Sequence, residues 1–343
     1  MKQRNISLIS SQGRSFSVDL AMIKQYLQTH LSAEDPFFRY YVNNEKSKNA
    51  LANEGFVRAK REFCEEIGDT ICVDTSLGPR VRNLAENGKH IMLSVPYAYL
   101  FSKMRDVQNG KNHKYKTLKN YTHIITGSPF ADEVIQKAYE LEDIQIISGV
   151  SHPFAWDILQ QDKIDEVRGR VEHYFPQAKG KKIVSLLVFG ELKKKDKNPF
   201  DYVDVKRLVD AFGKDYFLVT NNEALEESAY VLTGDYSDRF GFINRIMPTQ
   251  DLLYVSEGII TNNSRFAACF AGKRKPVYSV AYTGNVFEKY MRETYPSLHI
   301  QELNKEIEKI SDMNVTKEHG MLFNNMAYKE PKEPYQAIED ILL

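Results

Sequence analysis

The feature that most constrains this chain is a repeated alternation. Short apolar runs are separated by longer amphipathic stretches, and the whole series begins again past the middle. The runs are too short for buried helices and rich in Ile, Val and Leu, which is how a strand covered on both faces reads. In the first half they stand at 6–10, 38–42, 70–74, 90–94, 123–126 and 145–148, with helical spacing over 18–30, 46–66 and 131–140. Strands separated by helices require right-handed crossovers, and so a mostly parallel sheet.

The restart comes at "KGKKIVSLLVFGE", residues 179–191. Strands are expected at 183–189, 215–220, 239–244, 258–261 and 276–280, with helices between them. Residues 154–174 read as helical and lead into "FPQAKGKK", a linker-like Pro, Gly and Lys stretch. At 343 residues the chain is long for a single core. We therefore expect an α/β protein with two Rossmann-like domains, residues 1–150 and 181–320. A hinge helix and linker would occupy 151–180. The tail, 321–343, would end in a helix near 331–342 that packs back on the first domain. Open α/β sheets bind ligands beyond the carboxyl ends of their strands. Two such sheets facing one cleft would suit a donor and an acceptor held by separate domains.

Charge narrows the partners. Lys and Arg number 46, as do Asp and Glu, so no global field favours nucleic acid. The three cysteines, Cys64, Cys72 and Cys269, are too scattered for a disulfide framework or a zinc site, and a reduced, cytoplasmic protein fits best. The apolar stretch of "MKQRNISLISSQG" is too short for a signal peptide, and no window holds about 18 consecutive apolar residues. Peripheral attachment at the inner face of a membrane stays open.

Several stretches place polar groups just after a strand. "SLISSQGRSFSVDL" offers Gln12, the tight-turn Gly13 and the cation of Arg14 on the acceptor side, or simply an exposed strand–turn–helix connection. "THIITGSPF" sets Ser128 as an N-cap with Pro129 at the first helical position, in a loop that should also line the ligand side. "IISGVSHPF" carries His152, whose ordinary pKa suits a base or, when protonated, a phosphate contact; a solvated loop histidine is the alternative. After the first strand of the second half, the backbone of Phe189, Gly190 and Glu191 is a candidate nucleotide contact.

The most informative region is "GIITNNSRFAACFAGKRKP", residues 258–276. A buried strand ends in Asn262, Asn263, Ser264 and Arg265, and a helix of small residues follows. Helix amides, the helix dipole, a hydroxyl and a guanidinium together suit a pyrophosphate. Ordinary Asn and Ser capping of a buried helix is the competing explanation.

The longer stretch "MPTQDLLYVSEGIITNNSRFAACFAGKRKPVYSV" resembles the signature of the CDP-glycerol glycerophosphotransferases of teichoic-acid and capsule synthesis. That family has a D-I-N-D-L-Y helix, a strand, T-D-Y-S-S, a small-residue helix and a K-K-P strand. Asp251, Leu252 and Leu253 match the helix, Thr261 and Ser264 the turn, and Lys275 with Pro276 the last element. The likeness spans roughly 120–305. It departs where Asn262, Asn263 and Arg265 replace the family's Asp, Tyr and second Ser, and where Cys269 replaces an Asp. No histidine stands in "IMLSVPYAYLF", where the family has His-Gly, and Asn221-Asn222 replaces His-Pro.

The resemblance implies the GT-B fold and a transferase moving a polyol phosphate or sugar from a CDP- or UDP-linked donor to a cell-envelope glycan or polymer. On that basis Asn262, Asn263, Ser264 and Arg265 hold the donor pyrophosphate and Phe189–Glu191 contact the nucleotide. Gln12, Gly13, Arg14 and Ser128 face the acceptor, and His152 is the candidate base. Helix amides and Arg265 would stabilise the leaving nucleotide without a metal or other cofactor. A glycosyltransferase acting on a glycan or protein, and a non-catalytic GT-B partner subunit, are the alternatives.

Overall fold

The computed structural model describes residues 5–10, 18–30, 37–41, 57–58, 68–73, 88–94, 100–101, 121–138, 143–190, 204–221, 238–243 and 246–343. The chain forms two compact units, one of Met1–Trp156 with Ala327–Leu343 and the other of Asp157–Met326.

In the first unit β1 (Asn5–Ser10), α1 (Val18–His30), β2 (Phe37–Tyr41), β3 (Val57–Arg58), β4 (Asp69–Val73), β5 (His90–Ser94), β6 (His123–Ile125), α2 (Pro129–Ala138), β7 (Gln145–Ile147) and α3 (Pro153–Asp157) follow in order. The strands form one parallel sheet in the order β3-β2-β1-β4-β5-β6-β7. Leu20, Ile23 and Leu27 recur on one face of α1 and are buried with Ile6, Leu8, Ile71 and Ile91 of the strands. That spacing is the core stripe of an amphipathic helix.

The second unit contains α4 (Gln161–Tyr174), β8 (Lys182–Leu187), α5 (Val205–Phe212), β9 (Tyr216–Thr220), β10 (Phe240–Phe242), α6 (Leu252–Val255), β11 (Ser256–Thr261), α7 (Ser264–Ala271), β12 (Val277–Val280), α8 (Val286–Thr294), β13 (His299–Ile300) and α9 (Lys317–Met326). Its parallel sheet runs β10-β9-β8-β11-β12-β13. The chain builds outward from β8 through β9 to β10, then returns across β8 and builds the other way from β11. The reversal between β8 and β11 is a topological switch point, the place beyond the strand ends where open α/β sheets bind their ligands. The two parallel α/β sheets expected from the sequence are therefore present.

α10 (Pro334–Leu342) belongs to the first unit. Its Ile338 and Leu342 join the cluster around Leu20 and Ile23. Tyr335 stacks on Tyr26 of α1 at 4.9 Å, and the Tyr26 hydroxyl donates to Glu339 at 2.9 Å.

Three local expectations need correction. Val57 and Arg58, inside the stretch read as helical at 46–66, form β3, paired to Arg39 and Tyr40; two residues carry no period of their own, and the β2 edge selects their conformation. The helix expected over 154–174 is two helices, broken where the Gln160 amide turns back to the Asp157 carbonyl at 3.0 Å. The helix before β11 is a 3-10 turn at Thr249–Asp251 followed by the short α6. β13 was not read from the sequence.

Candidate functional site

At the switch point of the second sheet the loops after β8, β9, β11 and β12 meet. Thr261 closes β11 and donates its hydroxyl to the Leu187 carbonyl at 2.6 Å. Asn262 is buried, with 3% of its surface exposed. Its Oδ1 accepts from the Phe189 amide at 2.9 Å and its Nδ2 donates to the Phe189 carbonyl at 2.8 Å. One carboxamide thus satisfies both backbone groups of Phe189, as a neighbouring strand would. The Val188 amide donates to Oδ1 of Asn221, which follows β9, at 3.1 Å. Gly190 has φ of 83°, a left-handed turn that favours glycine, and a Cβ there would meet the Thr283 methyl at 3.1 Å.

Asn263 is the N-cap of α7. Its Oδ1 accepts from the amides of Arg265 at 3.0 Å and Phe266 at 3.1 Å. Two of the amides that the sequence offered to a pyrophosphate are therefore taken by the cap, and Ser264 and Arg265 form the accessible rim, half-buried and exposed. Phe266 meets the Phe189 ring edge-on at 5.2 Å. Behind them Ala267, Ala268, Cys269 and Ala271 are all buried, and their small side chains let α7 lie close on the sheet.

The loop after β12 completes the crevice with residues that sequence reasoning passed over. Asn285 caps α8 by accepting from the Glu288 amide at 2.9 Å, and its Nδ2 donates to the Asn262 carbonyl at 2.9 Å. Glu288, 3% exposed, accepts from the amides of Tyr282, Thr283 and Gly284 at 3.1, 2.8 and 2.6 Å and from the Thr283 hydroxyl at 2.8 Å. The signal was present in "TGNVFE": Asn with Glu three residues later is a capping pattern.

Among the described residues of these loops, the only carboxylate, Glu288, has both oxygens committed to donors. The accessible rim is therefore Ser264 and Arg265, a hydroxyl and a guanidinium of the kind that binds an anion. No three His, Cys, Asp or Glu side chains converge to hold a metal ion among the described residues.

The first unit has a second polar cluster at the ends of β6 and β7. Ser128, fully buried, accepts from the Ala131 amide at 3.2 Å and so caps α2. Asp132 of α2 accepts from the hydroxyls of Thr126 at 2.6 Å, Ser148 at 2.7 Å and Tyr328 at 2.7 Å. Burial, with Asp132 alongside, pushes the Tyr328 phenol up to about 12. His152 is buried at 6% exposure, and its ring lies where a Cβ on Gly127 would stand, 1.9 Å from Nε2. It is thus packed inside the loops rather than solvated. Gln12, Gly13, Arg14 and Glu191 lie outside the described residues.

No family model matches this sequence, and no curated protein does. Among solved structures, the wall teichoic acid polymerase TagF is similar over 99% of this chain and 88% of its own, at 15% identity and a TM-score of 0.64. A TagF variant soaked with CDPG aligns over the same shares at 14% identity and a TM-score of 0.64. S. aureus MnaA, in a structure with UDP, aligns over 97% of this chain and 92% of its own, at 11% identity and a TM-score of 0.50. At these identities the likeness establishes the fold, the two-sheet GT-B architecture. The sequence resemblance to the CDP-glycerol glycerophosphotransferases and the likeness to a teichoic acid polymerase agree on that fold. No helix among the described residues is long and apolar enough to cross a membrane.

Proposed function

We propose that the chain is a GT-B transferase that takes a polyol phosphate or sugar from a nucleotide-diphosphate donor and delivers it to a cell-envelope glycan or polymer. The observation that carries this reading is the β8/β11 switch point with Ser264 and Arg265 on its rim, its only described carboxylate, Glu288, being taken up by donors of the loop after β12. Ligands of open α/β sheets bind at such a point. TagF and MnaA, whose structures include CDPG and UDP, supply the analogy for the ligand class.

In this reading Ser264 and Arg265 contact the donor pyrophosphate directly. Asn262 and Asn263 hold the loop that frames it, and the backbone of Phe189, Gly190 and Glu191 contacts the nucleotide. Arg265 and the α7 dipole stabilise the charge left on the departing nucleotide. The acceptor side falls to the loop that Ser128 caps from within and to Gln12, Gly13 and Arg14, with His152 taking the acceptor proton.

A thermal-shift series with CMP, CDP, UDP, GDP, CDP-glycerol and CDP-ribitol tests this. A ligand at about 100 times its dissociation constant adds roughly 2.7 kcal/mol, a shift of a few degrees. The expected result is a cytidine-selective shift that Arg265→Ala weakens. Selectivity for another base moves the assignment to a glycosyltransferase. No shift with any nucleotide overturns the donor site and favours a non-catalytic partner.

A further inference from the structure

We infer that Glu288 is a positioning residue for the crevice, acting on the Phe189–Gly190 backbone through Asn285 and Asn262. The inference rests on the donor-site reading for its functional consequence, though not for its structural one. Glu288 sits in the first turn of α8, where a carboxylate that served only the helix would satisfy the amide of the capping residue. Instead it gathers three successive amides and a hydroxyl from residues 282–284, which folds the loop after β12 around its two oxygens. That loop ends in Asn285, whose two side-chain ends point to different elements. Oδ1 accepts from the Glu288 amide, while Nδ2 donates across to the Asn262 carbonyl. Asn262 then holds both backbone groups of Phe189.

The result is one continuous hydrogen-bonded chain across the ends of β12, β11 and β8. No link in it is a strand–strand bond, so the sheet ladder does not maintain it. Its far end is Phe189–Gly190, where the Phe189 ring meets Phe266 but the left-handed Gly190 brings no side chain of its own to fix the peptide. The near end is a charged acceptor, and hydrogen bonds to an ionised carboxylate are about twice as strong as neutral ones. Glu288 therefore anchors the series at its strongest point. Neutralising it loosens the 282–285 loop, releases Asn285 from Asn262 and lets the peptide at 189–190 move.

Hydrogen exchange on Glu288→Gln and Glu288→Ala, beside the native chain, tests the relay without any ligand. Exchange in peptides covering 188–190 and 261–263 is expected to speed up about tenfold, as local opening becomes easier, while 183–187 within β8 stays protected. Faster exchange confined to 281–288 overturns the inference. A second readout is the affinity for CDP or UDP in a double-mutant cycle of Glu288→Gln with Asn262→Ala. A relay gives strongly non-additive losses, since either change breaks the same chain; additive losses assign Glu288 a local structural role. A native chain that binds neither nucleotide refutes the donor site, and the exchange pattern still decides the relay.

Discussion

Replacing Asn262 with aspartate separates its two hydrogen bonds with almost no change in shape. The carboxamide accepts from the Phe189 amide and donates to the Phe189 carbonyl, in a residue 3% exposed. In Asn262→Asp the first bond survives, but the second becomes a carboxylate oxygen facing a carbonyl oxygen across 2.8 Å. Losing one net hydrogen bond and leaving that carbonyl unsatisfied costs about 2 kcal/mol, with burial at the upper end of the range. Protonation restores a donor, so the folded-state pKa of the new carboxyl rises above the unfolded value of about 3.9. The folded variant then binds more protons than the unfolded one between about pH 4 and 6, and its stability falls as pH rises through that window. Urea unfolding followed by circular dichroism is therefore expected to give a deficit of about 2 kcal/mol against the native chain at pH 8, most of it recovered at pH 4. Asn262→Ala loses both bonds, strands both backbone groups of Phe189 and shows a deficit of about 4 kcal/mol at either pH. A native-like midpoint for Asn262→Asp at pH 8 would refute the proposed pairing with Phe189.

Two further outcomes follow from buried groups elsewhere. His319 is fully buried; burial lowers its pKa to about 4, and its Nδ1 accepts from the Thr316 amide at 3.0 Å, a bond the imidazolium cannot keep. Its contribution to stability is complete above the unfolded value near 6.5 and is lost as pH falls toward 4, by about 3 kcal/mol in total; His319→Phe is expected to flatten that part of the pH–stability curve, and an unchanged slope would contradict it. Gly127→Ala forces a Cβ into the His152 ring at a φ of 76°, and a loss of about 3 kcal/mol or more in thermal or urea unfolding is expected, whereas Gly149→Ala, with open space at a similar φ, costs only about 1 kcal/mol.

The architecture was legible in the order of apolar runs and helical stretches. Strands such as "KIVSLL" read correctly because both faces of a parallel sheet are covered, so Ile183 to Leu187 are all buried and, Ser185 apart, apolar, and the run needs no partner to be recognised. α1 and α7 were legible for similar reasons: the core stripe of Leu20, Ile23 and Leu27, and the Asn263 cap before a run of small residues, are written within one or two turns. β3 and β13 were not, because two-residue strands take their conformation from the strand they pair with.

The arrangement of the crevice was decided only by tertiary structure. "TNNSR" announces a polar turn, but it does not say that Asn262 spends both ends of its carboxamide on a residue 73 positions earlier. Nor does it say that Asn285, 23 positions later, reaches back to hold its carbonyl. Composition leaves Glu288 looking like one more surface carboxylate, and His152 like a loop histidine open to solvent. The physical reason is the same in each case. A helix or strand is stabilised by neighbours in sequence, whereas the partner of a buried carboxamide or carboxylate is whichever donor the strand order brings to it.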